Sequence, residues 1–154
     1  MNLSSKSRYA LKILMHLVYF QSKTPVQRKD IAQRQGIPAD YLDQILLKLR
    51  QGGLIVSIRG RGGGYKLSKR PAEISVWDMV QAVENHVYPV ACQSESDKNC
   101  SFEVACVSKS AWQIVGDVMK KSLKALRLAD LTEGAAISDA QMCPIGGVRE
   151  CKQG

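Results

Sequence analysis

The chain has no apolar run approaching the roughly 18 residues that cross a bilayer. Its most apolar segment, Leu11 to Phe20, is interrupted by Lys12 and His16. It also lacks the small-residue cleavage site of a secretory leader, so a cytoplasmic protein with no membrane role is expected. Histidine is scarce. His16 lies within a helical stripe, and His86 has no partner in sight, so neither forms a catalytic pair. There is no C-x-x-C redox motif and no phosphate loop ending in Gly-Lys-Ser/Thr. These absences argue against a redox or nucleotide enzyme, and no small-molecule substrate is expected. No internal repeat is visible.

Acidic residues are sparse in the first part of the chain. Residues 1–70 hold 14 Lys and Arg against Asp30, Asp40 and Asp43, a charge of +11. Residues 71–154 hold 8 basic and 11 acidic residues, a charge of −3. A basic half beside a mildly acidic one fits a polyanion partner for the first half, although a ribosomal or membrane-surface role gives the same sign. The 154 residues suffice for one core, or for a compact domain with an appended element.

Ala10, Ile13, Leu14, Leu17 and Val18 recur at helical spacing over residues 4–21, with Ser4 or Ser5 available as a cap. A short polar helix containing Ile31 and Ala32 should end at Gly36, a residue suited to a left-handed C-cap. A third helix buries Leu42, Ile45, Leu46 and Leu49 and shows Asp40, Asp43, Gln44 and Lys48 outward, with Tyr41 at the edge. This is helix-turn-helix spacing; an ordinary helical hairpin in a three-helix core has the same spacing. Next come a β-branched strand from Leu54 to Ile58, four glycines among residues 60–64, and a second strand from Tyr65. Such glycines serve either a phosphate cradle or a tight hairpin. A cradle leads into a helix N-terminus, whereas Gly64 is followed by Tyr65, Lys66 and Leu67, so the hairpin wing is favoured.

A fourth helix follows, with Ser75 and Asp78 spaced as a capping box and Val76, Met79, Val80 and Val83 facing inward. Ala111, Val115, Val118, Met119, Ser122, Leu123 and Leu126 then mark a long helix, with Trp112 beside the stripe. It reads as an arm packed on a second copy of the chain, and packing within one chain is the other possibility. The expected architecture is mainly α: a winged helix-turn-helix over 1–88, a cysteine-rich loop over 89–107, a dimerisation helix over 108–131 and a loosely patterned tail over 132–154.

Cys92, Cys100 and Cys106 share one aperiodic polar loop, with seven and five residues between them. Cysteine is ordinarily buried, so three of them in a polar loop are poorly explained as incidental. Three thiolates with a fourth donor can hold an iron-sulfur cluster or a zinc ion. His86, Cys143 and Cys151 are further candidate donors.

Taken together, "LSSKSRYALKIL" at 3–14, "DIAQRQGIPADYLDQILLKLRQGGLIVSIRGRGGGYKL" at 30–67, the cysteine loop and "LRLADL" at 126–131 resemble the bacterial regulator family that includes IscR, NsrR and CymR. The resemblance runs over about residues 1–131 and is nearest to IscR-like members. Arg8-Tyr9-Ala10 stands where NsrR has an acidic cluster ligand, and Lys109 stands where IscR offers a histidine.

What the resemblance implies is a homodimeric transcription regulator, a repressor, on a palindromic double-stranded DNA operator. Cys92, Cys100 and Cys106 would bind a 2Fe-2S or 4Fe-4S cluster that reports iron or redox status. Its fourth ligand is open among a tail cysteine, Glu103, a partner-subunit side chain and an external thiol. The alternative is a DNA-binding regulator whose cysteines form a zinc site or a thiol-disulfide switch. Lys6, Arg8, Lys66 and Lys69 would neutralise phosphates. Gln44 would pair with adenine, Asp43 would accept from a cytosine amino group, and Tyr41 would touch backbone or a thymine methyl, with Lys48 on the same helix. Arg59 and Arg61 would enter a minor groove from the wing.

Overall fold

The computed structural model describes residues 4–20, 24–84, 87–88, 90, 106 and 108–133. Helix α1 spans Ser5–Phe20, and the Ser4 hydroxyl caps it by accepting the Lys6 N–H at 3.1 Å. Helices α2, Arg28–Gln35, and α3, Ala39–Gln51, are separated by Gly36, whose φ of 61° places it in the left-handed region. That conformation costs glycine little, and the turn lets Ile37 drop into the core.

Strands β1, Ile55–Ile58, and β2, Gly64–Leu67, form an antiparallel hairpin in the register Ile55↔Leu67 to Ile58↔Gly64. On its other side β2 meets the segment before α2. Val26 and Tyr65 exchange backbone hydrogen bonds of 2.9 and 2.8 Å. A Cβ on Gly64 would lie 2.3 Å from the Val26 carbonyl oxygen, so this pairing requires glycine at 64.

After a short 3-10 turn at Pro71–Glu73, helix α4 spans Val76–Val83. Its capping box forms as the spacing predicts: Asp78 N–H donates to Ser75 Oγ at 3.1 Å, and Ser75 N–H donates back to Asp78 Oδ2 at 3.0 Å. Helices α1, α3 and α4 enclose one core. Ala10, Ile13, Leu14 and Leu17 from α1 meet Leu42, Ile45, Leu46 and Leu49 from α3, with Val76, Met79, Val80 and Val83 of α4 completing it. Trp77, omitted from the predicted inward set, is buried as well.

Helix α5, Lys109–Ala125, leans on α4 without burying any residue fully. Its predicted stripe divides between two faces. Met119 and Leu123 are half-buried, and the Lys120 ammonium lies 5.6 Å from the Trp77 ring centre, whereas Val115 and Val118 turn outward with Trp112 and Ile114. Beyond α5 the chain returns to the body. Val76 N–H donates to the Leu126 carbonyl at 2.9 Å, Leu128 N–H donates to the Ile74 carbonyl at 3.0 Å, and Leu128 is wholly buried. A last turn, α6, spans Asp130–Glu133.

Among the described residues, one polar pair lies inside. His16 on α1 is 1% exposed, and its Nδ1 is 3.3 Å from the Gln35 amide nitrogen on α2. The Phe20 ring packs on it at 4.6 Å, and the Arg34 guanidinium stands 4.8 Å from the Phe20 ring centre.

Candidate nucleic-acid interface

Helix α3 turns one polar face to solvent because its four core residues occupy the other. Asp40, Asp43, Gln44, Leu47 and Gln51 are exposed along that face, with Arg50 exposed beside them. Gln44, expected to meet a base edge, is exposed on this face. Asp43 is differently placed. Arg28 at the start of α2 grips both its oxygens, Nε to Oδ1 at 2.5 Å and Nη2 to Oδ2 at 2.6 Å. In turn the Asp43 carboxylate hydrogen bond holds the Arg28 guanidinium more firmly protonated than usual. Sequence reasoning passed over Arg28 because the two residues are 15 positions apart on different helices.

Tyr41 and Lys48 are turned away from that face. Tyr41 is half-buried; its hydroxyl is 2.8 Å from Ser5 Oγ, and its ring meets Tyr9 edge-on at 5.5 Å. The Lys48 ammonium donates to the Val83 carbonyl at 3.0 Å. A lysine at the last turn of α4 satisfies a carbonyl that the helix leaves open and suits the negative end of its dipole. Residues seven apart on a helix share a flank, and here that flank packs on α1 and α4.

The wing carries Arg59 and Arg61 on its exposed loop, and Lys66 lies across from Val56 on the hairpin, half-buried. Two depressions connect the wing with the helices. One of about 370 Å³ is lined by Gln27, Arg28 and Lys29 and by Ser57, Ile58, Gly63, Gly64 and Tyr65. A second of about 200 Å³ is lined by Asp43, Leu46, Leu47, Arg50 and the same Tyr65. Tyr65 therefore joins the N-terminus of α2, the exposed face of α3 and the root of the wing into one surface. Lys29 and Arg50 belong to it and were absent from the predicted set; their positive charge was the signal that could have found them.

At the N-terminus of α1, Arg8 is exposed and Lys6 half-buried. That end is clasped by Glu84, at the end of α4, whose Oε1 accepts Ser4 N–H at 2.9 Å, Ser4 Oγ at 2.7 Å and Ser7 Oγ at 2.6 Å. Burial pushes the Glu84 carboxyl up, but the hydroxyls of Ser7 and Ser4 outweigh it and hold the group below the usual carboxylate range. Lys69 is exposed, and the neighbouring Arg70 is paired with Glu73 at 3.2 Å.

Of the predicted cluster ligands, Cys106 lies among the described residues, just before α5. Its Sγ is 3.4 Å from Ser108 Oγ, and that hydrogen bond is the main cause lowering the thiol below its ordinary value. The thiolate, not the thiol, is the form that binds iron or zinc. Cys92, Cys100, Cys143, Cys151, Glu103 and His86 lie outside the described residues. No helix among the described residues is long and apolar enough to cross a membrane.

The Rrf2 family model, described as an iron-dependent transcriptional regulator, matches residues 3–134. Protein rrf2 of Nitratidesulfovibrio vulgaris is 37% identical over 144 residues, 94% of this chain and 92% of the relative. The HTH-type transcriptional regulator IscR of Vibrio atlanticus is 35% identical over 92% of this chain and 82% of its own length. Among solved structures, IscR of T. potens superposes with a TM-score of 0.70 at 30% identity, covering 93% of each chain. CymR of B. subtilis, a global cysteine regulator, gives a TM-score of 0.68 at 31% identity, covering 88% of this chain and 98% of its own.

Proposed function

The chain belongs to the Rrf2 family of transcriptional regulators, and from that premise we propose a homodimeric repressor that binds a palindromic operator and responds to iron or redox status through its cysteines. Its relatives and structural neighbours are transcriptional regulators and not enzymes. The observation that carries the DNA assignment is the continuous surface through Tyr65, which puts the α2 N-terminus, the α3 face and the wing side by side on the basic half of the chain.

In this reading α3 enters the major groove, where Gln44 makes paired hydrogen bonds to adenine. Arg28, Lys29 and Lys66, with Lys6 and Arg8 from α1, neutralise phosphates and set the salt dependence. Arg59 and Arg61 reach from the wing into a minor groove, where narrow A·T tracts attract guanidinium groups. Asp43 supports recognition chiefly by fixing Arg28. A partner subunit covers the outer face of α5, which leaves Trp112 42%, Ile114 65%, Val115 43% and Val118 59% exposed in the single chain. An exposed apolar strip of this kind marks an interaction site. A DNA partner, with no membrane-crossing helix among the described residues, supports a cytoplasmic location.

Cys92, Cys100 and Cys106 would hold an iron-sulfur cluster of the 2Fe-2S or 4Fe-4S type, which supplies sensitivity to iron and oxidants when bound. Anaerobic purification is expected to give a brown protein containing iron and acid-labile sulfide, lost in Cys-to-Ala variants at 92, 100 and 106. A colourless protein carrying zinc, or one that forms a disulfide on oxidation, would favour the zinc or thiol-switch alternative. For the wing, Arg59→Ala is expected to weaken operator binding by about 1–3 kcal/mol at fixed salt. Unchanged affinity in a fluorescence-anisotropy titration rejects the minor-groove role of the wing.

A further inference from the structure

Leu47 breaks the chemistry of the face it occupies. It is 45% exposed in the middle of α3, between Gln44 and Gln51, and it is the one large apolar side chain on that face. A solitary exposed leucine is ordinarily unremarked. This one lies on the rim of the 200 Å³ depression, beside Asp43, Arg50 and Tyr65, within the surface assigned to DNA. Nothing in the core requires leucine there, because Leu46 already supplies the buried contact of that turn at 2% exposure.

We propose that Leu47 is a specificity-determining residue that reads the C5-methyl group of a thymine in the major groove; this rests on the DNA-binding reading above. The thymine methyl is the one apolar group on the major-groove edges of unmodified DNA, and an aliphatic side chain is its natural complement. Position fixes where it falls. Residues three apart on a helix have Cβ atoms about 5–6 Å apart, and base pairs follow at about 3.4 Å. With Gln44 on an adenine, Leu47 therefore meets the edge of a base pair one or two steps away. Charge permits the approach. Asp43, the acid nearest along the face, has both carboxylate oxygens engaged by Arg28, so a guanidinium offsets its charge where the duplex closes over the leucine.

The test begins with selection of the preferred duplex from a randomised pool at fixed salt. Each thymine is then replaced singly by uracil, which deletes only the methyl group. For the full-length protein, one thymine per half-site is expected to lose about three- to tenfold in affinity on replacement. That thymine should lie within two base pairs of the adenine whose identity ceases to matter in Gln44→Ala. Leu47→Ala should lose a similar factor on the unmodified duplex and become indifferent to uracil at that position. Its melting temperature should fall by no more than a few degrees, because nearly half of the residue is already exposed. Leu47→Gln should shift the preferred base pair there away from T·A. The inference is overturned if no uracil weakens wild-type binding, or if Leu47→Ala keeps the wild-type sensitivity to uracil. Either result would leave selective DNA binding intact and remove only the role of Leu47. A protein that selects no sequence overturns the DNA-binding reading and this inference together.

Discussion

Gly64→Ala is expected to destabilise the protein by about 3 kcal/mol and to weaken DNA binding with it. The added Cβ would sit 2.3 Å from the carbonyl oxygen of Val26 and 2.7 Å from its carbonyl carbon, and backbone cannot swing aside as a side-chain tip can. Relief requires β2 and the Val26 segment to part. That opens the 2.9 and 2.8 Å hydrogen bonds between Val26 and Tyr65, each contributing about 1 kcal/mol net. The consequence reaches the surface, since Tyr65 borders both depressions and the same pairing holds the root of the wing beside the start of α2. Gly62→Ala is the control. Gly62 has a φ of 83° and no heavy atom within 4 Å of a built Cβ, so only the backbone conformation resists, at about 1 kcal/mol. Thermal melts of the two variants should separate by several degrees. Equal melting temperatures would mean that Val26 and Tyr65 do not pair in solution.

Acid should destabilise the protein through His16. Burial is the largest cause that lowers this imidazole from 6.5 to about 4, with Arg34 pushing the same way and Asp30 opposing. A histidine whose folded-state value is depressed contributes stability that is fully present above pH 6.5 and is lost as the pH falls through about 4. The depression corresponds to about 3 kcal/mol, of which about 2 kcal/mol is lost by pH 5. His16→Gln keeps a polar group opposite Gln35 but cannot titrate. Urea unfolding at pH 7 and pH 5 should show the wild type losing about 2 kcal/mol more than this variant. Parallel losses in the two proteins would assign the acid sensitivity elsewhere.

Much of the fold was legible because it is written in local periodicity. The stripes of α1, α3 and α4 each name one side of the core, Gly36 marks the turn, and Ser75 with Asp78 announces α4. The wing was legible by exclusion, since no helix follows its glycines. What escaped was set by contacts distant in sequence. Tyr41 and Lys48 have the composition of a groove-facing helix, and in the structure their polar tips meet Ser5 of α1 and the Val83 carbonyl of α4. Arg28 and Asp43, the strand-like pairing of Val26, and the clasp of Glu84 on α1 all join elements with no shared periodicity. Along α5 the apolar spacing was visible, but which residues face the body depends on Trp77, itself hidden on α4.

The exchange between Ile74–Val76 and Leu126–Leu128 sets the mechanics of α5. The helix is about 25 Å long, joined at its C-terminal end to the entry of α4, with Cys106 just before its N-terminal end. Rotation about that joint magnifies small angles: about 10° of tilt carries the Cys106 end through roughly 4 Å and leaves the joined end nearly still. A tilt of α5 would therefore act at the entry of α4, against which α3 is packed.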